Sequence, residues 1–161
     1  MTLTLFSDAF SNMNPIPALY TCDSQDITPP LKWDNAPANT KSFALVMDDP
    51  DAPDPKSPKM TWVHWLIYNI PSDVQELPSG VTQENLPPGA LLGLNDWHAT
   101  AYGGACPPIG EHRYFFKLYA LDTMLEAVRG MTKPQLESAM HGHILEQTTL
   151  VGTYQKARYS H

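Results

Sequence analysis

The chain has 161 residues, which is the size of one domain, and 42% of them are hydrophobic against 17% charged. Its formal charge is −7 and it has no run of Lys or Arg, which argues against nucleic acid or an anionic membrane as a partner. No stretch approaches the length of a membrane-spanning helix, and the N-terminus lacks the basic and apolar pattern of a secretion signal. We therefore expect a single soluble domain spanning residues 1–161, located in the cytoplasm.

The first forty residues are predicted to be extended, because five prolines interrupt them and remove backbone donors. The first regular strand is predicted at Ser42–Asp49. Phe43, Leu45 and Met47 share one of its faces and smaller apolar residues occupy the other, which is typical of a central strand. Asp49 continues the first face, so the strand ends on a carboxylate that needs a partner if it is buried.

Two further strands each carry a histidine. The first is predicted at Thr61–Ile70, where strict alternation places His64 on the same face as Leu66. The second is predicted at His112–Leu121, and its first and third residues point the same way because side chains alternate with a period of two. A histidine and a tyrosine two residues apart on one strand can therefore converge on one ligand.

Helices are predicted only near the C-terminus. A short one is expected at Thr123–Val128, ended by Gly130. Thr132 begins a capping-box pattern for a second helix, which should continue to about Glu146 before a last strand near Thr148–Gln155. Strands dominate and their connections are long, so the predicted fold is mainly β, a two-sheet β-sandwich with Greek-key connections and one or two short C-terminal helices.

Cys22 and Cys106 are too few for a disulfide scaffold, so we expect reduced thiols, with one bridge between them as the alternative. Cys106 lies near His112 in sequence and could be a thiol nucleophile, but the chain has no Gly-x-Ser-x-Gly elbow or other sign of an activated nucleophile. Asp49, His64 and His112 could supply a zinc site, yet none of them has the tight spacing of a zinc motif. We therefore predict no catalysis, no metal and no cofactor.

The remaining polar residues favour a binding pocket. Asp49 and Asp51 follow one strand, each histidine strand is close to a loop rich in Pro or Gly, and Gly103-Gly104 permits close backbone approach. Taken singly, these features are explained by a turn, a core histidine and a stiff loop. Taken together, imidazoles made cationic by nearby carboxylates, a tyrosine hydroxyl and glycine N–H groups would form a receptor for a small anion.

Several stretches resemble the phosphatidylethanolamine-binding protein family, also known through the Raf kinase inhibitor protein. The most specific pair is Asp49-Pro-Asp-Ala-Pro53 and Gly110-Glu-His-Arg-Tyr114. The other matching stretches are Tyr20–Trp33, Trp62–Trp65, Tyr68–Pro71, Tyr102–Gly110, Gly142–Leu145 and Gly152–Tyr154. Together they cover nearly the whole chain, and the resemblance is strongest to the short bacterial and archaeal branch.

The resemblance implies a β-sandwich whose small pocket binds phosphate, a carboxylate or a phosphoryl head group. The ligand-binding positions that it implies are Asp49, His64, Gly104, His112 and Tyr114. The supporting positions are Asp51, Pro53, Trp62, Tyr102 and Ala105. Ala105 stands where the family often has proline, and the long C-terminal helix of animal members has no equivalent after Tyr154, so roles tied to that helix do not transfer.

The function predicted from these residues is non-enzymatic binding of a small phosphoryl or carboxylate anion, with a regulatory role. His64, His112 and Tyr114 would contact the anion together with the Gly104 N–H. Asp49 would orient one imidazole, and affinity would be weak, on the order of millimolar. The alternatives are an inhibitor that docks on a protein kinase or serine protease and, third, a zinc or thiol hydrolase. A homodimer through the aromatic residues around Trp97 is left open.

Overall fold

The computed structural model describes residues 2–156. Within that range the chain forms nine strands, one α-helix and two short 3₁₀ segments. The elements are β1 Thr4–Phe6, β2 Asn14–Pro15, β3 Leu31–Asp34, β4 Ser42–Ala52, β5 Met60–Pro71, β6 Glu76–Leu77, β7 Leu91–Leu92, β8 Glu111–Leu121, α1 Lys133–Met140 and β9 Ile144–Gln155, with 3₁₀ turns at Ala18–Tyr20 and Gln83–Asn85.

The strands form two sheets. The large sheet has the order β2-β9-β8-β4-β5-β7 and the small sheet has the order β1-β3-β6. Neighbours are antiparallel except β2, which lies parallel to β9. The chain makes the pair β4–β5, follows a long connection, and returns to place β8 beside β4. The two-sheet, mainly β fold and the central position of β4 are confirmed.

Both faces of the large sheet are buried. Its inner face packs against the small sheet, so that Phe43, Leu45 and Met47 contact a core that also contains Trp33 of β3. Its outer face carries a second core, formed by the alternate residues of β4 together with Leu136 and Met140 of α1 and other apolar residues. This arrangement explains why β4 is apolar on both sides, and it confirms the alternation predicted for this strand.

A bulge interrupts the alternation of β5. Met47 pairs with Trp65 and Asp48 with Val63, so His64 is the extra residue between two consecutive pairs. As a result Trp65 packs in the inner core while Val63 and Leu66 pack in the outer core. The prediction that His64 and Leu66 share a face is wrong, because a bulge shifts the side-chain period by one residue.

The segment 123–128 is not helical, contrary to the sequence prediction. The side chain of Asn69 accepts a hydrogen bond from the Leu125 N–H (2.8 Å) and donates one to the Leu125 carbonyl (2.9 Å). The Val128 carbonyl accepts from the Tyr68 hydroxyl. Because strand β5 satisfies these backbone groups, the segment lies extended over the outer core.

Helix α1 begins as predicted and ends early. Thr132 and Gln135 form the reciprocal capping box at its N-terminus. The helix stops at Met140, followed by Gly142 at a φ of +81°, and β9 already begins at Ile144 rather than at Thr148. Among residues 2–156, no helix is long and apolar enough to cross a membrane.

Candidate functional site

A cavity of about 350 Å³ opens at one end of the inner face of the large sheet. Antiparallel pairing brings the end of β4 beside the beginnings of β5 and β8, so residues distant in sequence meet there. Six of the predicted site residues line this cavity: Asp49, Pro53, Trp62, His64, His112 and Tyr114. We call it the His64 cavity.

Asp49 and His112 form a buried pair in the wall of the His64 cavity. Both are at most 3% exposed, and the His112 Nδ1 lies 2.5 Å from the Asp49 Oδ2. The other carboxylate oxygen of Asp49 accepts the Asp51 N–H at 2.7 Å. Each partner compensates the other, and the pair can stay buried because its polar atoms are hydrogen-bonded.

The second ring nitrogen of His112 is also engaged. Its Nε2 lies 3.0 Å from the Pro53 carbonyl and 2.9 Å from the Ile109 carbonyl, and both of these groups can only accept. Nε2 therefore carries a hydrogen, and Nδ1 faces a carboxylate. In this geometry both nitrogens are used within the protein, so the sequence-based role of His112 as a direct donor to an anion is not available unless Nε2 leaves its carbonyls.

His64 is buried in a different way. Its Nδ1–H donates to the Gly103 carbonyl at 2.7 Å, and the Gly103 N–H donates back to the His64 carbonyl at 3.0 Å. Burial lowers the pKa of His64, an effect opposed by the Gly103 carbonyl and the Asp49 charge. The ring is neutral at pH 7 as a result, and because Nδ1 carries the hydrogen, Nε2 is the acceptor nitrogen of the neutral ring.

Tyr114 lies between the two histidines. Its ring contacts His64 edge-to-face at a centroid distance of 5.2 Å and stacks near His112 at 6.3 Å. Burial raises the pKa of the Tyr114 hydroxyl, so the group stays protonated. The backbone N–H of Cys106 opposes this rise, and the protonated hydroxyl can donate a hydrogen bond.

Trp62 adds an unused donor to the same wall. Its indole Nε1 is shielded from solvent and has no hydrogen-bond partner among the described residues. A buried donor without an acceptor is costly, and an acceptor brought to this wall would remove that cost. Trp62 was predicted as a supporting residue, and nothing in the sequence distinguishes its N–H from that of Trp65.

Asp51 does not line the His64 cavity. It binds Arg113 through two side-chain hydrogen bonds of 2.9 and 2.8 Å and accepts the Arg113 backbone N–H at 2.9 Å. The Arg113 guanidinium holds the pKa of the Asp51 carboxyl below its usual range. Asp51 therefore fixes the turn after Asp49 to the beginning of β8.

The loop 102–106 separates the His64 cavity from a neighbouring one. Tyr102 and Gly104 line that neighbouring cavity, and Ala105 is fully buried with its carbonyl accepting from the Cys22 N–H at 3.1 Å. The Gly104 N–H, predicted to bind a ligand, instead donates to the Asp26 Oδ1 at 2.9 Å. Gly104 is required by close packing, because a Cβ there would lie 2.4 Å from the Tyr20 carbonyl oxygen.

Cys22 and Cys106 form a disulfide with an S–S distance of 2.08 Å. The expectation of reduced thiols is therefore wrong, and so is the alternative of Cys106 as a thiol nucleophile, since a disulfide sulfur is not a thiolate. The two cysteines are 84 positions apart in sequence, so their spacing does not indicate that they pair. The bridge attaches the loop 102–106 to the segment after Tyr20.

The outer rim of the His64 cavity is apolar and was missed by sequence reasoning. Trp97 contacts the His64 ring at 5.0 Å and the Trp62 ring at 5.5 Å, and it is 46% exposed. Met60 and Pro107 also line the cavity. Trp97 lies in an irregular loop between β7 and β8, where no periodicity signals that a side chain faces a site.

The described residues contain no group of three or more His, Cys, Asp or Glu side chains that could hold a metal ion. Asp49 and His112 are bound to each other, and the His64 Nδ1 is bound to a carbonyl. What the cavity offers a ligand is two neutral donors, one neutral imidazole nitrogen and a nearby carboxylate that is compensated by its histidine.

Comparison with known proteins agrees with this fold. The family model described as phosphatidylethanolamine-binding protein matches residues 6–155. A protein of Methanothermobacter thermautotrophicus designated UPF0098 is 45% identical over 155 residues, covering 96% of this chain and 99% of the relative. A protein of Aquifex aeolicus with the same designation is 41% identical over 157 residues, covering 96% and 89%.

Two crystal structures are similar over nearly the whole chain. A phosphatidylethanolamine-binding protein homologue of Chlamydia trachomatis, CT736, matches with a TM-score of 0.89 at 40% identity, covering 97% of this chain and 99% of its own. YbcL of E. coli, described as a member of the mammalian family, matches with a TM-score of 0.86 at 28% identity, covering 98% and 100%. The chain belongs to the phosphatidylethanolamine-binding protein family.

Proposed function

We propose that the protein binds a small phosphoryl or carboxylate anion in the His64 cavity and does not transform it. The observation that carries the proposal is the shielded indole N–H of Trp62, a residue of the cavity wall, which has no acceptor among the described residues. The Tyr114 hydroxyl proton is a second donor in the same wall. An anion oxygen would satisfy both groups, whereas a cation would satisfy neither.

His64 adds a donor only when it gains a proton at Nε2. Because burial keeps the free ring neutral at pH 7, an incoming anion must either bring a proton or bind more weakly. A phosphate monoester in its monoanionic form carries such a proton. For an anion of constant charge, affinity should therefore decrease as pH rises from the pKa of His64 in the free protein to its higher pKa in the complex, and stay constant outside that interval.

The charge of the cavity wall also limits affinity. Asp49 is compensated by His112 and Asp51 by Arg113, so no uncompensated positive group attracts the ligand. We expect dissociation constants on the order of millimolar, about 4 kcal/mol, for simple phosphate. The cavity of about 350 Å³ is larger than one phosphate needs, and the apolar rim of Met60 and Trp97 can contact an organic substituent.

The proposal is tested by NMR titration with methyl phosphate and with O-phosphorylethanolamine, observing the ring signals of His64 and the indole N–H of Trp62. We expect saturable shifts of both. Trp62→Phe and Tyr114→Phe should each weaken binding about tenfold, because each removes one hydrogen bond to a charged oxygen. Tyr119→Phe, in the outer core, is the matched control. No shift at His64 or Trp62 with either ligand would overturn the proposal.

A second candidate function is docking of the phosphoryl group as part of a protein partner, such as a kinase or protease. Met60, Trp97 and Ile109 are 46%, 46% and 52% exposed around the mouth of the cavity, and a peptide could bury them. A phosphoserine peptide that binds at least tenfold more tightly than methyl phosphate would support this candidate. Equal affinities would favour a small free ligand.

The cellular compartment and the assembly state remain predictions. A cytoplasmic location was expected from the sequence, and the Cys22–Cys106 bridge weighs against it because disulfides persist in oxidising compartments. Trp97, which was considered for a homodimer contact, lines the cavity mouth, so dimerisation there would compete with ligand entry.

A further inference from the structure

An irregular segment, residues 93–103, is attached to the bulge in β5, and we call it the 93–103 loop. Its Asp96 pairs twice with Val63, because the Asp96 Oδ2 accepts the Val63 N–H at 2.7 Å and the Asp96 N–H donates to the Val63 carbonyl at 3.0 Å. At the other end of the loop, Gly103 makes its reciprocal hydrogen bonds with His64. The loop therefore holds two consecutive residues of β5, beyond the part of this strand that β7 covers.

Asn95 organises the interior of the 93–103 loop. Its side chain is buried, and its Oδ1 accepts the N–H groups of Trp97 at 2.9 Å and Ala99 at 3.1 Å. Its Nδ2 donates to the Ala101 carbonyl at 2.8 Å. One buried side chain thus satisfies three backbone groups of a segment that has no helix or strand to satisfy them, and it fixes the backbone at Trp97.

The Trp97 ring is the wall of His64 that the sheet does not supply. The His64 ring lies between two rings that it meets edge-to-face, Tyr114 at 5.2 Å and Trp97 at 5.0 Å. Tyr114 belongs to β8 and is fully buried, so the sheet fixes its ring. Trp97 is half exposed and belongs to the 93–103 loop, so its position depends on how that loop is held. Without the Trp97 ring, water would reach His64.

We propose that Asn95 and Asp96 are positioning residues of the anion site, which together hold Trp97 against His64 and keep water away from the imidazole. The functional meaning of this inference rests on the proposed anion binding. Asn95 fixes the backbone of Trp97, and Asp96 joins that backbone to the bulge. Neither residue lines the His64 cavity, so each acts through Trp97 and not on the ligand itself.

The groups around His64 determine the sign of the effect. Burial lowers the pKa of the ring, and the opposing effects come from backbone carbonyls and from the charges of Asp49 and Asp48 on β4. The neighbours on β8 are His112, which is bound to Asp49, and the protonated Tyr114. Admitting water removes the effect of burial and leaves the carboxylates, so it should raise the pKa of His64.

The first measurement is the pKa of His64 in the free protein, by an NMR pH titration of its ring signals. Asp96→Ala should raise this pKa toward 6.5, because the loop loses its hold on Val63 and water reaches the ring. Asp96→Asn keeps an oxygen for the Val63 N–H and should not raise it. Both variants remove the same charge, which alone would lower the pKa, so their difference reports the position of the loop. Asp34→Ala, which removes an exposed carboxylate from the small sheet, is the matched control.

The second measurement is the preference of the His64 cavity for propyl phosphate over methyl phosphate. In the wild type the Trp97 ring should contact the propyl group, so that propyl phosphate binds severalfold more tightly. Trp97→Ala defines the complete loss of this preference, and Asp96→Ala should approach it while Asp96→Asn keeps the preference. The ratio does not depend on the protonation of His64, because the two phosphates carry the same charge.

Asn95→Ala should act in the same direction as Asp96→Ala. If the loss of its three hydrogen bonds prevents folding, the Asp96 variants still decide the question, because Asp96 is exposed. Equal His64 pKa values and equal phosphate preferences in Asp96→Ala and Asp96→Asn would overturn the inference. Failure of the wild type to bind either phosphate would instead overturn anion binding. The two failures are distinguishable, because the pKa of His64 is measured without ligand.

Discussion

Two adjacent carboxylates at the end of β4 have opposite environments. Asp48 faces the outer side of the large sheet, where Lys117 and Lys133 contact it at 3.0 and 2.9 Å. Asp49 faces the inner side, where its partner is the fully buried His112 and a cavity opens beside it. Both carboxylates are at most 3% exposed, so burial alone does not distinguish them.

The partners account for the difference. Lys117 and Lys133 retain 25% and 20% exposure and can keep their charge in water if Asp48 is lost. His112 has no such route, because its two nitrogens are bound within the protein. Asp48 joins β8 and α1 to β4, while Asp49 fixes a ring that forms the wall of a binding cavity. A carboxylate beside an immobile titratable partner and a cavity is therefore the better functional candidate.

The largest expected effect is the contrast between Asp49→Ala and Asp48→Ala. Asp49→Ala leaves the Nδ1 of His112 and the Asp51 N–H without partners in a buried site, and should lower the free energy of unfolding by about 4 kcal/mol. Asp48→Ala should cost about 1 kcal/mol, because the two lysines can turn to solvent. Urea unfolding of both variants measures the difference, and equal losses would contradict this account of the two faces.

Opening the disulfide comes next in expected size. The bridge closes a loop of 84 residues and fastens the inner-face loop 102–106, whereas the outer-face segment 123–128 is held by hydrogen bonds from Asn69 and Tyr68. Replacing both cysteines by serine should lower the free energy of unfolding by about 3 kcal/mol. The His64 ring signals should also shift, because its contact with Gly103 lies in that loop. Unchanged stability and unchanged His64 signals would show that packing alone fixes the loop.

Alanine at the two loop glycines gives a smaller, graded effect. At Gly104 the added Cβ meets the Tyr20 carbonyl oxygen at 2.4 Å, and the backbone there cannot move away easily. At Gly103 it meets the Trp97 ring at 2.2 Å, and that side chain is 46% exposed. Gly104→Ala should cost about 2 kcal/mol and Gly103→Ala about 1 kcal/mol. The midpoint temperatures of thermal unfolding rank the two variants. A larger loss for Gly103→Ala than for Gly104→Ala would mean that the Trp97 ring cannot move away.

The strands that carry the site could be predicted because their burial is periodic. Alternation located β4 and β8, and Tyr114 follows His112 on the inner face as its spacing requires. The strand-end position of Asp49 and the histidine at position 64 made both candidates, and the family resemblance implied the same two residues. The pairing of β4 with β8 brings Asp49 to His112, and this contact crosses 63 residues, which no local pattern encodes.

The remaining features depend on long-range contacts. The bulge at His64 has no marker in the sequence, so strict alternation predicted that His64 and Leu66 share a face of the strand. The segment 123–128 has helical signals, but Asn69, 56 residues away, satisfies the backbone of Leu125 instead. The unsatisfied N–H of Trp62 and the wall contributed by Trp97 are consequences of packing, and only the structure identifies them.

The smallest expected effect is the pH dependence contributed by His64. The pKa of its ring is lowered from 6.5 by burial, so the unfolded chain binds a proton at this position at a higher pH than the folded chain does. Stability should therefore fall as pH decreases through 6.5 toward the folded pKa, because protons favour the unfolded state. His64→Asn should remove this part of the pH dependence. Urea midpoints at several pH values between 7 and 5 measure it for both proteins.

Repeating the same measurement in saturating sulfate tests whether an anion binds beside His64, because the charge of sulfate is constant over this pH range. If the anion binds beside a protonated His64, it raises the pKa of the ring in the folded protein, and stability should then fall less as the solution becomes acidic. His64→Asn should lose the response to sulfate as well as the pH dependence. Identical pH profiles for the variant and the wild type, with and without sulfate, would show that the pKa of His64 is the same in the folded and unfolded chains, which would contradict both the lowered pKa and the contact with the anion.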